Sequence, residues 1–137
     1  MKFEILEHPA DIGFRAFGAT VAELFENAAV AMLAIAQELE DVSPRMEYPL
    51  AASGTDYESL LVNWLNEVLY WSDGKQIALC GFQVNEISEN AVAAIGLGEP
   101  RNAAHHRAKV IVKAVTYHQL KVMQTPEGWC AEVYLDI

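Results

Sequence analysis

The chain has 137 residues, a formal net charge of −10 and 53% hydrophobic residues. That length suits one domain with one apolar core, and such hydrophobicity excludes a disordered chain. Nine Lys plus Arg against nineteen Asp plus Glu argue against autonomous nucleic-acid binding, because phosphates avoid an acidic surface. A basic partner or a cation is the better complement.

The longest uncharged run, residues 27–37, has 11 residues, where a membrane span needs about 20. The N-terminus lacks the apolar stretch and cleavage site of a signal peptide. Cys80 and Cys130 form neither a disulfide framework nor a zinc-finger spacing. Together these features predict a cytoplasmic protein with reduced thiols and no membrane association.

In chain order, residues 2–6 predict a strand that ends in a break at His8-Pro9-Ala10-Asp11, where proline favours an extended His8. Alternation over residues 12–17 predicts a second strand. After a Gly18-Ala19 turn, Thr20 and Glu23 form a capping box. Val21, Leu24, Phe25, Ala28, Met32 and Ile35 then predict a helix over residues 21–39. Residues 46–52 predict a strand. Thr55 and Glu58 repeat the capping box, with Asp56 in the first turn. The second helix follows on Leu61, Trp64, Leu65, Val68 and Leu69 and ends at Asp73-Gly74. Leu60 and Trp71 widen its apolar surface enough for two-sided burial or a partner contact.

From Lys75 onward the period drops to two, with strands predicted over residues 82–86, 91–97, 109–117, 120–125 and 129–137. Early helices followed by strands predict an α+β fold, with two helices on a mainly antiparallel sheet system in one domain over residues 1–137.

Phosphate-cradling glycine loops and hydrolase motifs are absent from the sequence, and neither cysteine has the neighbours of a prepared nucleophile. In the last strand, Trp129, Ala131, Val133, Leu135 and Ile137 share one face, while Cys130, Glu132, Tyr134 and Asp136 share the other. The Asp136 carboxylate lies one residue from the terminal α-carboxylate, a pairing that favours a hard divalent cation once a third oxygen donor joins it. Asp11, between Pro9 and Gly13, is the candidate donor, against the commoner role of an aspartate in forming a turn. His8, His105, His106 and His118 offer a rival zinc reading, although loop or surface histidines explain them better. Lys113, amid apolar sequence, is either an edge-strand charge or a site cation.

Several co-linear segments resemble the archease family. They are His8-Pro9-Ala10-Asp11-Ile12-Gly13, Glu23-Leu24-Phe25 with Ala28-Ala29, and Leu60-Leu61-Val62-Asn63-Trp64-Leu65-Asn66-Glu67 with Leu69-Tyr70. Val112-Lys113-Ala114-Val115-Thr116-Tyr117-His118 and the closing Leu135-Asp136-Ile137 complete the set. The resemblance implies a non-catalytic protein that activates an RtcB-type RNA ligase in tRNA splicing and RNA repair, promoting ligase guanylylation and turnover without stable nucleic-acid binding of its own. It implies a divalent-metal site at Asp11, Asp136 and the C-terminal Ile137, typically with Ca2+, Mg2+ and Mn2+ being the other candidates. It also implies a role in activating the ligase for Lys113 and, more weakly, for Asp56. Pro9 replaces the usual threonine, and residues 101–106 lack the acidic residue expected after Gly98-Glu99. Two other readings compete: a free-standing metal-dependent hydrolase with His8 as base, and a chaperone-like module using the second helix.

Overall fold

Antiparallel pairing brings the first and last segments of the chain side by side. The computed structural model describes residues 1–7 and 11–137; the predicted break at residues 8–10, with His8 and Pro9, lies outside the described residues. The elements are β1 (Phe3–Glu7), β2 (Ile12–Gly18), α1 (Val21–Ala36), β3 (Met46–Ser53), α2 (Tyr57–Leu69), β4 (Ile77–Ile87), β5 (Ala91–Pro100), β6 (Ala114–Thr125) and β7 (Gly128–Asp136). They build a four-stranded sheet in the order β1-β2-β7-β6 and a three-stranded sheet in the order β3-β5-β4. All the strand pairs are antiparallel.

Each helix touches both sheets: α1 packs on β2 and β4, and α2 on β3 and β6. A helix covered on two sides needs apolar residues around most of its circumference. In α1 these are Leu24, Phe25, Ala28, Ala29, Ala31, Met32, Leu33 and Ile35, all buried. Trp64 of α2 is fully buried; its indole N–H donates to the Phe25 carbonyl at 3.0 Å, and its ring meets Phe82 edge-on at 5.7 Å. Leu60 is fully buried as well. Trp71 packs on Tyr48 at 5.7 Å, with the Lys75 ammonium 3.8 Å above its ring. Two-sided burial therefore accounts for the wide apolar surface of α2. The α+β class and the antiparallel sheets are as the sequence predicts.

Several boundaries differ from expectation: β4, predicted over residues 82–86, runs from Ile77 to Ile87, and α2 ends at Leu69, with a π-helical turn over Tyr70–Gly74 completing the predicted reach to Asp73-Gly74. Helix α1 ends at Ala36 rather than residue 39, because Gln37 turns extended and its buried side chain donates to the Leu79 carbonyl at 2.9 Å. Asp56, not Thr55, caps α2: its carboxylate accepts from the Ser59 N–H at 2.8 Å, while the Ser59 hydroxyl accepts from the Asp56 N–H at 3.2 Å. Aspartate caps as well as threonine does, so the box sits one residue later than predicted. The strands predicted over residues 109–117 and 120–125 are one strand, β6, which starts at Ala114 and bulges between Thr116 and Lys121. Residues 109 and 110 instead hang on the end of α1, where both backbone N–H groups donate to the Ala36 carbonyl.

Trp64→Ala opens the largest hole this core can have and is expected to cost about 3–5 kcal/mol. Urea unfolding followed by circular dichroism measures that loss.

Candidate functional site

The core face of β2 carries Phe14 and Ala16, and that of β7 carries Ala131, Val133 and Leu135; all five are buried. The alternate residues therefore point to the outer face of the four-stranded sheet. Register pairs Phe14 with Val133, Gly13 with Tyr134 and Ile12 with Leu135, where the β2–β7 ladder ends; Asp11 immediately precedes Ile12 and Asp136 immediately follows Leu135. On the other side of β7, Asp136 pairs with Ala114, and the Lys113 N–H donates to the Asp136 carbonyl at 2.8 Å. Three strands distant in sequence thus bring Asp11, Lys113, Asp136 and Ile137 to one end of the sheet.

Asp11 lies just outside β2 and Asp136 is the last residue of β7, so the two residues flank the Ile12–Leu135 rung. Asp11 is half-buried, with one carboxylate oxygen shielded from solvent; Lys113, Asp136 and Ile137 are exposed. Lys113 precedes the edge strand β6 and makes no ion pair among the described residues. The acidic groups offer only hard oxygen donors, the set that suits a divalent cation of the calcium or magnesium type.

The next outer-face rung supports this end. A Cβ on Gly13 would lie 2.6 Å from the Tyr134 ring, so glycine is what lets that ring lie across β2. The Tyr134 hydroxyl donates to Glu132 at 2.9 Å, and Glu132 also accepts from Arg15 at 3.3 Å. Arg15 in turn pairs with Glu4. The Glu132 carboxylate raises the Tyr134 pKa most, burial adds to it, and the charge of Asp11 contributes a smaller part. Burial alone would lift Glu132, but the Tyr134 and Arg15 hydrogen bonds outweigh it and its pKa is lowered.

Asp56 lies elsewhere. Its neighbour Tyr57 meets Trp129 edge-on at 5.3 Å, seven residues before Asp136 along β7, or about 23 Å at ~3.3 Å per residue. Its carboxyl pKa is lowered by hydrogen bonds from the Ser59 backbone and side chain, as a helix cap requires.

The histidine prediction needs one correction. His106 lies in a loop, as one of the two expectations had it, but is buried rather than at the surface; its Nε2 lies 2.9 Å from Glu99 Oε2, and its Nδ1 accepts from the Asn102 N–H at 2.8 Å. Glu99 also accepts from the Ser43 N–H and from Arg45, each at 2.9 Å. The donors of Ser43, His106 and Arg45, in that order, hold its pKa down at about 2. Together with His105, these residues bring ligand atoms within 4.8 Å of one another. The Asn102 bond nevertheless places the ring proton on Nε2, where it serves Glu99 and blocks a metal. The group acts as a clasp that holds the 101–107 turn on the sheet. Asn102 also accepts from the Ala104 N–H at 3.0 Å, so it forms the turn without the acidic residue that the resemblance leads one to expect. The sequence signal for the clasp was an isolated Glu99 closing an apolar strand.

His118 lies against Tyr134, with ring centroids 6.3 Å apart. Both cysteines are free, and burial pushes their thiols up, as expected of residues that are not prepared nucleophiles. No described helix is long and apolar enough to cross a membrane.

Two central helices held between antiparallel sheets, with acidic groups from both ends of the chain on one sheet end, define a small α+β protein whose candidate site sits on a rim rather than in a cleft. Residues 3–137 match the family model described as the Archease protein family (MTH1598/TM1083), and the chain belongs to that family. It is 43% identical to protein archease of Methanosarcina mazei, covering 99% of this chain and 96% of the relative. It is 36% identical to that of Sulfurisphaera tokodaii, covering 99% of each. The solution structure of Methanobacterium thermoautotrophicum protein 1598 superposes with a TM-score of 0.84 at 33% identity, covering 98% of both chains. A Thermotoga maritima archease, described as a "possible chaperone", shares the fold with a TM-score of 0.59 at 20% identity, covering 96% of this chain and 94% of that one.

Glu99 has a depressed folded pKa, so its contribution to stability is full above its ordinary value of 4.5 and is lost as pH falls toward about 2. Thermal unfolding of wild type and Glu99→Gln should therefore differ most above that window and converge below it; a gap independent of pH would refute the clasp. Asp56→Ala should lower the unfolding midpoint by a few degrees through loss of the cap.

Proposed function

We propose that this protein activates an RtcB-type RNA ligase, promoting guanylylation of the ligase and its turnover in tRNA splicing and RNA repair. The observation that supports this reading most is the meeting of Asp11, Asp136 and Lys113 at one sheet end, since these are the residues to which the family resemblance assigns the role. Asp11, Asp136 and the Ile137 α-carboxylate would hold a divalent cation, calcium by resemblance. When bound, such an ion supplies charge that can orient and neutralise phosphate oxygens.

The chain's own residues explain why this end suits the task. Strand pairing fixes Asp136 within β7 and Ile12, the residue next to Asp11, against Leu135, which favours a site with little ordering left to be done when a ligand arrives. Lys113, bonded through its backbone to Asp136, carries an exposed ammonium with no ion pair among the described residues, suited to a phosphate that moves or changes charge during nucleotide transfer. Its bonded backbone anchors the side chain to β7 while the ammonium remains accessible. The net charge of −10 favours docking on the basic cleft of an enzyme that binds RNA and GTP. On this reading the protein acts in the cytoplasm on an RNA enzyme without holding RNA itself. Asp56, far from the rim, contributes through the stability of α2.

The test is the initial rate of ligase guanylylation with GTP and divalent metal, using the ligase of the same organism. Wild type should accelerate it, and Asp136→Asn should lose about tenfold or more of that acceleration while keeping its unfolding midpoint. No acceleration by wild type, or full acceleration by Asp136→Asn, contradicts the mechanism. Turnover of phosphoesters by the purified protein alone would favour the hydrolase reading instead.

A further inference from the structure

We infer that Ile111 and Tyr117 are apolar anchors that seat this end of the molecule on the protein surface beside the ligase's nucleotide cleft; the inference rests on the activator reading above. Ile111 is 76% exposed and Tyr117 59% exposed, although Val112 and Val115 between them are buried. A single exposed apolar side chain is ordinary. These two flank Lys113 in sequence, and Ile137, beside Asp136, is 37% exposed as well. Exposed apolar residues thus accompany Lys113 and Asp136 along the two chain segments that form the rim.

The backbone supplies an independent observation. Strand β6 loses register with β7 between Thr116 and Lys121, and within that bulge Gln119 has a φ of +53°. A left-handed conformation is disfavoured for a residue with a Cβ and persists where its surroundings require it. Within the bulge the His118 ring lies on Tyr134, and Tyr117 has no register partner on β7 and is exposed. Re-aiming a side chain is a recurrent use of such bulges. Tyrosine is enriched at interface centres, where apolar anchors surround a few charges.

Charge decides the occupant. Two copies of this chain meeting at their rims would oppose Asp11 and Asp136 to the same groups and bring two molecules of net charge −10 together, which disfavours self-association. An enzyme that binds RNA and nucleotide phosphates presents the opposite sign around its cleft. Ile111 and Tyr117 would then rest on the cleft's protein wall while Lys113 and the carboxylates reach inward.

The experiment uses the full-length protein with purified ligase, comparing wild type, Ile111→Asn and Tyr117→Ala. Calorimetry gives the affinity, and guanylylation rates give the half-saturating concentration and the maximal acceleration. Each variant should unfold at the wild-type temperature, raise the half-saturating concentration by about tenfold or more, and recover full acceleration at saturation. Unchanged affinity overturns the inference, as does lost acceleration at unchanged affinity. A wild type that binds without accelerating defeats the activator reading, and affinity alone then judges the anchors; a wild type that neither binds nor accelerates defeats both. Sedimentation showing a wild-type dimer that Tyr117→Ala dissociates would assign the patch to a second copy and overturn the inference.

Discussion

The insertion of β7 between β2 and β6 governs where the groups on the four-stranded sheet can lie. Side chains alternate across a strand, so a slip of one residue would turn Val133 and Leu135 outward and drive Glu132 and Tyr134 into the core. Burial of Phe14, Ala16, Ala131, Val133 and Leu135 against the helices makes that slip costly. The same hydrophobic contacts therefore fix the Ile12–Leu135 rung, which Asp11 precedes on one strand and Asp136 follows on the other. Precision at the rim is inherited from the core.

The helices carry that constraint to the second sheet. Because α1 and α2 each touch both sheets, the polar groups they bury must find partners at defined points. Trp64 reaches the Phe25 carbonyl, and Gln37 reaches Leu79 across forty-two positions of sequence. Gln37 also accepts from Arg101 at 3.3 Å, and Arg101 donates to Ser72 at 2.7 Å. These bonds and the Glu99–His106 clasp hold the turn after β5 close to the C-terminal end of α1. The chain then passes through Lys109 and Val110 into the segment that carries Lys113.

Periodicity revealed most of the elements, because caps and apolar spacing are local properties. Thr20 with Glu23 marked the start of α1, and the buried stripe of α2 was legible from Leu61 to Leu69. What escaped depended on distant partners. Gln37 ends α1 early through a carbonyl on β4, and β6 begins late because residues 109 and 110 bond to α1. The Glu99–His106 pair was hidden because a buried charge is recognisable only once its donors are known. Asp11 and Asp136 were each visible as acidic residues at strand ends, but strand alternation does not say which strands are neighbours. The residues alone offered Asp11 as a third donor beside Asp136 against its commoner turn role, and the family resemblance favoured that grouping. The β2–β7 register, through the Ile12–Leu135 pair, sets their neighbours on adjacent strands. It also separates Asp56, whose capping role explains its residue type without any place on the rim.

Membership of the archease family leaves the division of labour within the rim as the central question. If Asp11 and Asp136 serve one cation, their effects on its binding must be coupled rather than additive. Titration calorimetry with Ca2+ on wild type, Asp11→Asn, Asp136→Asn and the double variant measures that coupling directly. The account predicts that either single change weakens binding by about tenfold or more and that the double variant is little worse than the singles. Independent, additive losses, or undiminished binding in both single variants, would contradict it.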